Sequence, residues 1–159
     1  MKIKEGYDFM IFRYSPYKKY DFITEHIKII NEQGSTWLLK FGKEIPSKTL
    51  DALKEKREGL ILKAPKATGG DFYFCVVKNC FNGIDNSKMA YPPYYQKMLS
   101  DGFADQLSGS WFNIKSITKL NKDIGDHLRL KRNNRILSEV INETRTVIMH
   151  VYCDEDFIV

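Results

Sequence analysis

Apolar and polar positions along the chain change period several times, and each change marks an element. Tyr7 to Tyr14 (YDFMIFRY) is dense in β-favouring aromatic and aliphatic residues and stops at Ser15-Pro16, which predicts a strand running into a turn. Helical spacing follows: Ile23, Ile27 and Ile30 recur behind a capping Asp21, and Gly34 stands where the helix should end. His26 and Lys28 then fall mainly off the apolar stripe. In Ser35 to Gly42 (STWLLKFG) the period returns to two, with Trp37, Leu39 and Phe41 on one face and Leu38 and Lys40 on the other.

Pro46-Ser47 opens a short predicted helix through Arg57, with Leu50 and Leu53 as its buried face and Gly59 as its stop. Gly59 also starts a strand through Leu60, Ile61 and Leu62, Thr68-Gly69-Gly70 reads as a turn, and Asp71 to Lys78 (DFYFCVVK) as a buried strand. From Phe81 to Gly109 the pattern weakens into a long connection around Tyr91-Pro92-Pro93-Tyr94-Tyr95, with room for a helical turn or two; a connection of that length points to function. Ser110 to Leu120 (SWFNIKSITKL) is a half-buried strand and Leu128 to Leu130 a short extended piece. Asn134 is placed to cap a helix carrying Ile136, Leu137, Val140 and Ile141, and Thr144 to Cys153 (TRTVIMHVYC) is a closing strand. About six strands and three short helices result, without the regular crossovers of a parallel sheet. The fold expected is α+β: one domain over residues 1–159, with a strongly curved, mostly antiparallel sheet or small pseudobarrel decorated by short helices.

Charge and composition bear on function more than on fold. The net charge of +5 favours polyanionic partners. Basic residues gather at Lys18-Lys19, Lys54 to Arg57, Lys63 to Lys66, and Arg129-Leu130-Lys131-Arg132 with Arg135 beyond, whereas Asp154-Glu155-Asp156 is acidic. No apolar run approaches the 18 or so residues that would span a membrane, and Met1 to Gly6 lacks the apolar segment of a signal peptide, so a cytoplasmic location is expected. Three cysteines without a CxxC pair fit a reducing compartment. His26, His127 and His150 are scattered, so neither a metal nor another cofactor is expected.

Catalytic patterns are weak: no Ser or Cys has a marked His partner, and Thr68-Gly69-Gly70 lacks the GK[ST] of a phosphate loop. A binding module is the simpler expectation. A base held out of its stack needs flat apolar walls, worth ~1–3 kcal/mol per base, and Trp37 and Trp111 are the candidates. Tyr14, Tyr17, Tyr91, Tyr94 and Tyr95 lie at strand ends or in the long connection and add further rings. The competing reading makes these rings core, since Trp is strongly buried on average. Phosphates would be met by Lys40, Lys43, Arg129, Lys131, Arg132 and Arg135.

The order of elements, with Gly34-Ser35-Thr36-Trp37-Leu38-Leu39-Lys40-Phe41-Gly42-Lys43 after the first helix and Ser110-Trp111-Phe112-Asn113-Ile114-Lys115-Ser116-Ile117 after the long aromatic connection, resembles the EVE-like members of the PUA-like superfamily over residues 7–153. That resemblance implies a pseudobarrel that binds DNA or RNA, with a modified base in an aromatic pocket. The related ASCH branch includes hydrolases of modified nucleosides and carries Gly-x-Lys-x-x-Glu-x-Arg near this point, a pattern from which Gly42-Lys43-Glu44-Ile45-Pro46-Ser47-Lys48 departs. Nucleic-acid binding without catalysis is therefore the leading expectation. The alternatives are a small inhibitor or regulator that binds a protein through Tyr91 to Tyr95, and an ASCH-like hydrolase.

Overall fold

Thirteen helices and strands are laid out along residues Met1–Val159, all of which the computed structural model describes. In chain order they are β1 (Lys2–Ile3), β2 (Asp8–Arg13), α1 (Phe22–Gln33), β3 (Thr36–Phe41), α2 (Ser47–Lys54), β4 (Glu58–Lys63), β5 (Phe72–Ile84), α3 (Tyr94–Ser100), β6 (Ser108–Lys119), β7 (Leu128–Leu130), α4 (Leu137–Val140), β8 (Ile148–Cys153) and β9 (Phe157–Ile158). Short 3-10 turns occupy Lys66–Thr68 and Lys122–Asp126. Seven strands form one mixed sheet in the order β3-β6-β5-β4-β2-β8-β7, and β1 pairs with β9.

The α+β class is as expected, but the sheet differs in two respects. Its strand order is open, not the cyclic order of a barrel. One pair is parallel: β2 runs beside β4 in register from Asp8↔Glu58 to Arg13↔Lys63. Parallel neighbours need a long crossover, and the whole segment from Ser15 to Arg57, with α1, β3 and α2, supplies it. The local pattern shows each of those elements but not that they together form one crossover. The other pairings given by register, β2 with β8, β3 with β6, β4 with β5 and β7 with β8, are antiparallel.

The chain divides into two compact units, one of Met1–Tyr14, Glu55–Cys75 and Thr118–Val159, the other of Ser15–Lys54 and Val76–Ile117. In the first, β2 lies between β4 and β8, so Phe9, Met10 and Ile11 are buried on both faces and read as a continuous apolar run, with Leu60, Ile61, Leu62 and Val151 beside them. In the second, Tyr17, Leu39, Tyr94, Tyr95, Met98, Leu107 and Trp111 form a buried cluster, against which Trp37, Phe41, Phe81 and Tyr91 pack.

Helix α1 follows its sequence signals: Asp21 Oδ1 accepts the Thr24 N–H at 2.8 Å, and Gly34, at φ +88°, donates its N–H to the Ile30 carbonyl. Its buried face is Phe22, Ile23, His26 and Ile29, so the expectation that His26 lies off that face is corrected. Hydrogen bonds at both ring nitrogens make this burial possible. Helix α2 ends at Lys54, short of Arg57, and Lys56 takes the left-handed turn at φ +62°. Gly59 is therefore not the helix stop but lies at the start of β4, its other expected role, and packs on the Phe9 ring. Asn134 is likewise not a helix cap: at φ +62° it closes a turn, and α4 begins only after Ile136.

Candidate functional site

The first unit carries a cleft of about 400 Å³, lined by Leu130, Lys131 and Arg132 together with Thr144, Thr146 and Ile148 to His150, the Lys131 N–H donating to the His150 carbonyl at 3.0 Å. Sequence explains the first of these segments. After β7 the chain reverses through Lys131-Arg132-Asn133-Asn134, closed by the Asn134 N–H on the Leu130 carbonyl (2.9 Å) and the Leu130 N–H on the Arg135 carbonyl (2.9 Å). Asn tolerates the left-handed conformation that this reversal needs at Asn134, and the Asn133 side chain accepts the Arg135 N–H at 3.0 Å. Lys131 and Arg132 therefore stand exposed on a short, internally bonded turn.

The segment from Thr144 to Thr146 is fixed in a similar way. Thr144 and Thr146 share a hydroxyl hydrogen bond of 2.7 Å, the Thr146 N–H donates to Thr144 Oγ1, and Arg13 donates to the Thr144 carbonyl at 2.7 Å. Apolar side-chain surface comes from half-buried Ile148, whereas Leu130 and Met149, also along the cleft, turn to the buried face with Val151. Two carboxylates temper the positive charge. Lys131 pairs with Asp8 at 2.8 Å, and His150 Nδ1 lies 3.0 Å from Glu58 Oε1. A carboxylate oxygen only accepts, so Nδ1 carries the proton and Nε2 is the uncommitted nitrogen of His150. Arg132 is exposed and engages in no ion pair.

Of the four cations expected in this region, only Lys131 and Arg132 line the cleft. Arg129 is turned to Asp154, at 2.9 Å, and to the Asn134 carbonyl. Arg135 forms a fork with Glu143, at 3.2 and 3.4 Å. Tyr14, in the same unit, is buried.

The expected aromatic walls lie in the second unit and form its core. Trp111 has no exposed surface; its indole N–H donates to the Gly83 carbonyl at 3.2 Å, and its ring meets Tyr91 and Tyr95. The expectation that Trp111 opens onto a pocket is corrected, because β6 turns this position into the tyrosine cluster. Trp37 is half-buried with its ring edge-on to Phe81. Tyr17 and Tyr94 are buried and stack with Tyr20 at centroid separations of 5.0 to 6.4 Å. Lys40 is buried along its stem and donates to the Lys43 carbonyl, with burial holding its pKa below the ordinary lysine value, while Lys43 is exposed.

Two polar clusters fasten this second unit. Asp101 accepts from Lys18 (2.6 Å), Tyr17 (2.7 Å) and Lys97 (3.2 Å), and the Lys18 ammonium foremost holds its carboxyl well below the usual range. Inside the core, His26 Nδ1–H donates to the Phe22 carbonyl at 2.7 Å, Nε2 accepts from the Tyr95 hydroxyl at 2.6 Å, and that hydroxyl accepts the Leu39 N–H at 3.1 Å.

Sequence reasoning missed Asp8, Glu58, Thr144, Thr146 and His150 as parts of a site. The one available signal was the alternation in TRTVIMHVYC, which puts Ile148 and His150 on the face opposite buried Met149 and Val151. Comparison with protein-family models, with curated proteins and with solved structures gives no match for this chain.

Proposed function

We propose that this protein binds nucleic acid, with Lys131, Arg132 and the cleft behind them as the contact site. The observation that carries the reading is the cleft itself: two adjacent cations on an ordered turn line it together with two threonines and half-buried Ile148, a combination suited to a phosphate attached to a sugar and base. The positive net charge and the resemblance to EVE-like domains of the PUA-like superfamily support the same ligand class. The contact then lies with the turn at Lys131-Arg132, not with the buried tryptophan and tyrosines. A pseudobarrel with a modified-base pocket would require the aromatic cluster of the second unit to open, with half-buried Trp37 as the first ring reached.

Titration of labelled single- and double-stranded DNA and RNA at two salt concentrations tests this reading. Binding should weaken as salt rises, and Arg132→Ala should lower the slope of log K against log salt by about 0.7–0.9, the share of one phosphate contact. Absence of binding at low salt to every one of these nucleic acids would refute it.

A second reading, a protein-interaction module, draws on Phe103. This residue is 60% exposed, and its ring is set edge-on against Tyr17 and Phe41 in the second unit. Phe103→Ser would then abolish capture of a purified native partner, and capture would persist after nuclease treatment.

A further inference from the structure

We propose that the cleft beside β7 and β8 takes a single phosphorylated nucleotide, with its phosphate between Lys131 and Arg132 and its sugar and base against Ile148, and that Asp8 holds its affinity down. This rests on the nucleic-acid reading above and narrows it from a polymer backbone to one nucleotide unit. The volume sets the class of ligand: about 400 Å³ lies within the range of small-ligand pockets and is far too small to admit a duplex. Bare phosphate would leave the apolar surface of Ile148 unused, and a bare nucleoside would leave Lys131 and Arg132 unused. One nucleotide, free or at the end of a strand, engages both.

Asp8 enters through its 2.8 Å ion pair with Lys131. An incoming phosphate competes with that carboxylate for the same ammonium and is repelled by it, whereas Arg132 has no such competitor. Neutralising Asp8 should therefore strengthen binding, an outcome that a merely structural Asp8–Lys131 pair would not give. Thr144 and Thr146, whose hydroxyls are bonded to each other, also line the cleft.

Calorimetric titration of the full chain with nucleoside 5′-monophosphates, the same nucleosides and inorganic phosphate is the test. Oligonucleotides with and without a 5′-phosphate separate a strand end from a free nucleotide. Monophosphates should bind about tenfold more tightly than either fragment, since each fragment lacks one of the two matched contacts. Asp8→Asn should tighten monophosphate binding severalfold, and Arg132→Glu should remove it. Thr146→Glu, an exposed change at another residue lining the cleft, should remove it as well. Monophosphates binding no better than inorganic phosphate would overturn the proposal, and so would Asp8→Asn that weakens binding or leaves it unchanged. If oligonucleotides bind while monophosphates and 5′-phosphorylated ends gain nothing, the single-nucleotide site falls and the broader nucleic-acid reading stands. If monophosphates bind as described and no oligonucleotide does, the broader reading falls and the cleft remains a nucleotide site.

Discussion

Acidification should act on this protein through His26 before most of its carboxylates titrate. The ring has no exposed surface, and its two nitrogens are matched only in the neutral form: Nδ1–H to the Phe22 carbonyl, Nε2 receiving the Tyr95 hydroxyl. A proton on Nε2 would set N–H against O–H. Reversing the tyrosine hydroxyl to accommodate it would still leave a charged ring without solvent, and desolvation lowers the His26 pKa from its ordinary 6.5 to about 4. Because the folded-state pKa is depressed, the stabilisation is fully present above pH 6.5 and is lost as pH falls from 6.5 towards 4. At 1.36 kcal/mol per unit, a shift of this size corresponds to about 3 kcal/mol in all, of which about 2 kcal/mol is gone by pH 5. Urea unfolding of the wild type and of His26→Gln, whose amide can donate to Phe22 and accept from Tyr95, should be compared between pH 7.5 and pH 4.5. The glutamine variant should lose the part of the pH dependence lying between 6.5 and 5. Identical slopes for the two proteins, or a His26 ring that titrates near 6.5 in NMR spectra of the folded protein, would refute the reasoning.

Three further outcomes follow from the packing. Trp111→Ala should cost ~3–5 kcal/mol through lost burial and a residual cavity, and half-buried Trp37→Ala distinctly less, as read by thermal melts; equal losses would contradict the burial difference. Gly109 sits at φ +148° where a Cβ would collide with the Lys40 carbonyl across the β3–β6 pair, so Gly109→Ala should destabilise by at least ~2 kcal/mol in denaturant unfolding, and a variant of wild-type stability would show that this close approach is absent. Cys75, Cys80 and Cys153 form no disulfide and are buried, with burial pushing the Cys75 thiol pKa far up, so labelling by a thiol reagent should track unfolding; a thiol that reacts rapidly in the folded protein would contradict this.

Local signals determined the elements that local forces control. Asp21 and Gly34 bound α1 because a side-chain oxygen and a left-handed residue satisfy the orphan groups of a helix end, whatever lies further off in the chain. Trp37, Leu39 and Phe41 share a face because a strand has period two, and all three do belong to the aromatic cluster. What lies beside a residue is a different kind of fact. His26 appears in sequence as a polar residue on a helix and becomes core only because Tyr95, distant in the chain, supplies its second hydrogen bond. Four basic residues between Arg129 and Arg135 look equivalent as a charge run, yet Asp154, Asp8 and Glu143 pair with Arg129, Lys131 and Arg135, Arg132 alone has no ion pair, and only Lys131 and Arg132 line the cleft. The parallel β2–β4 pair and the site made by segments 130–132 and 144–150 arise the same way. Backbone propensity and periodicity are written residue by residue, whereas partners of a charge or a ring are set by which distant segments the closed chain brings within a few ångströms, and only the tertiary structure decides that.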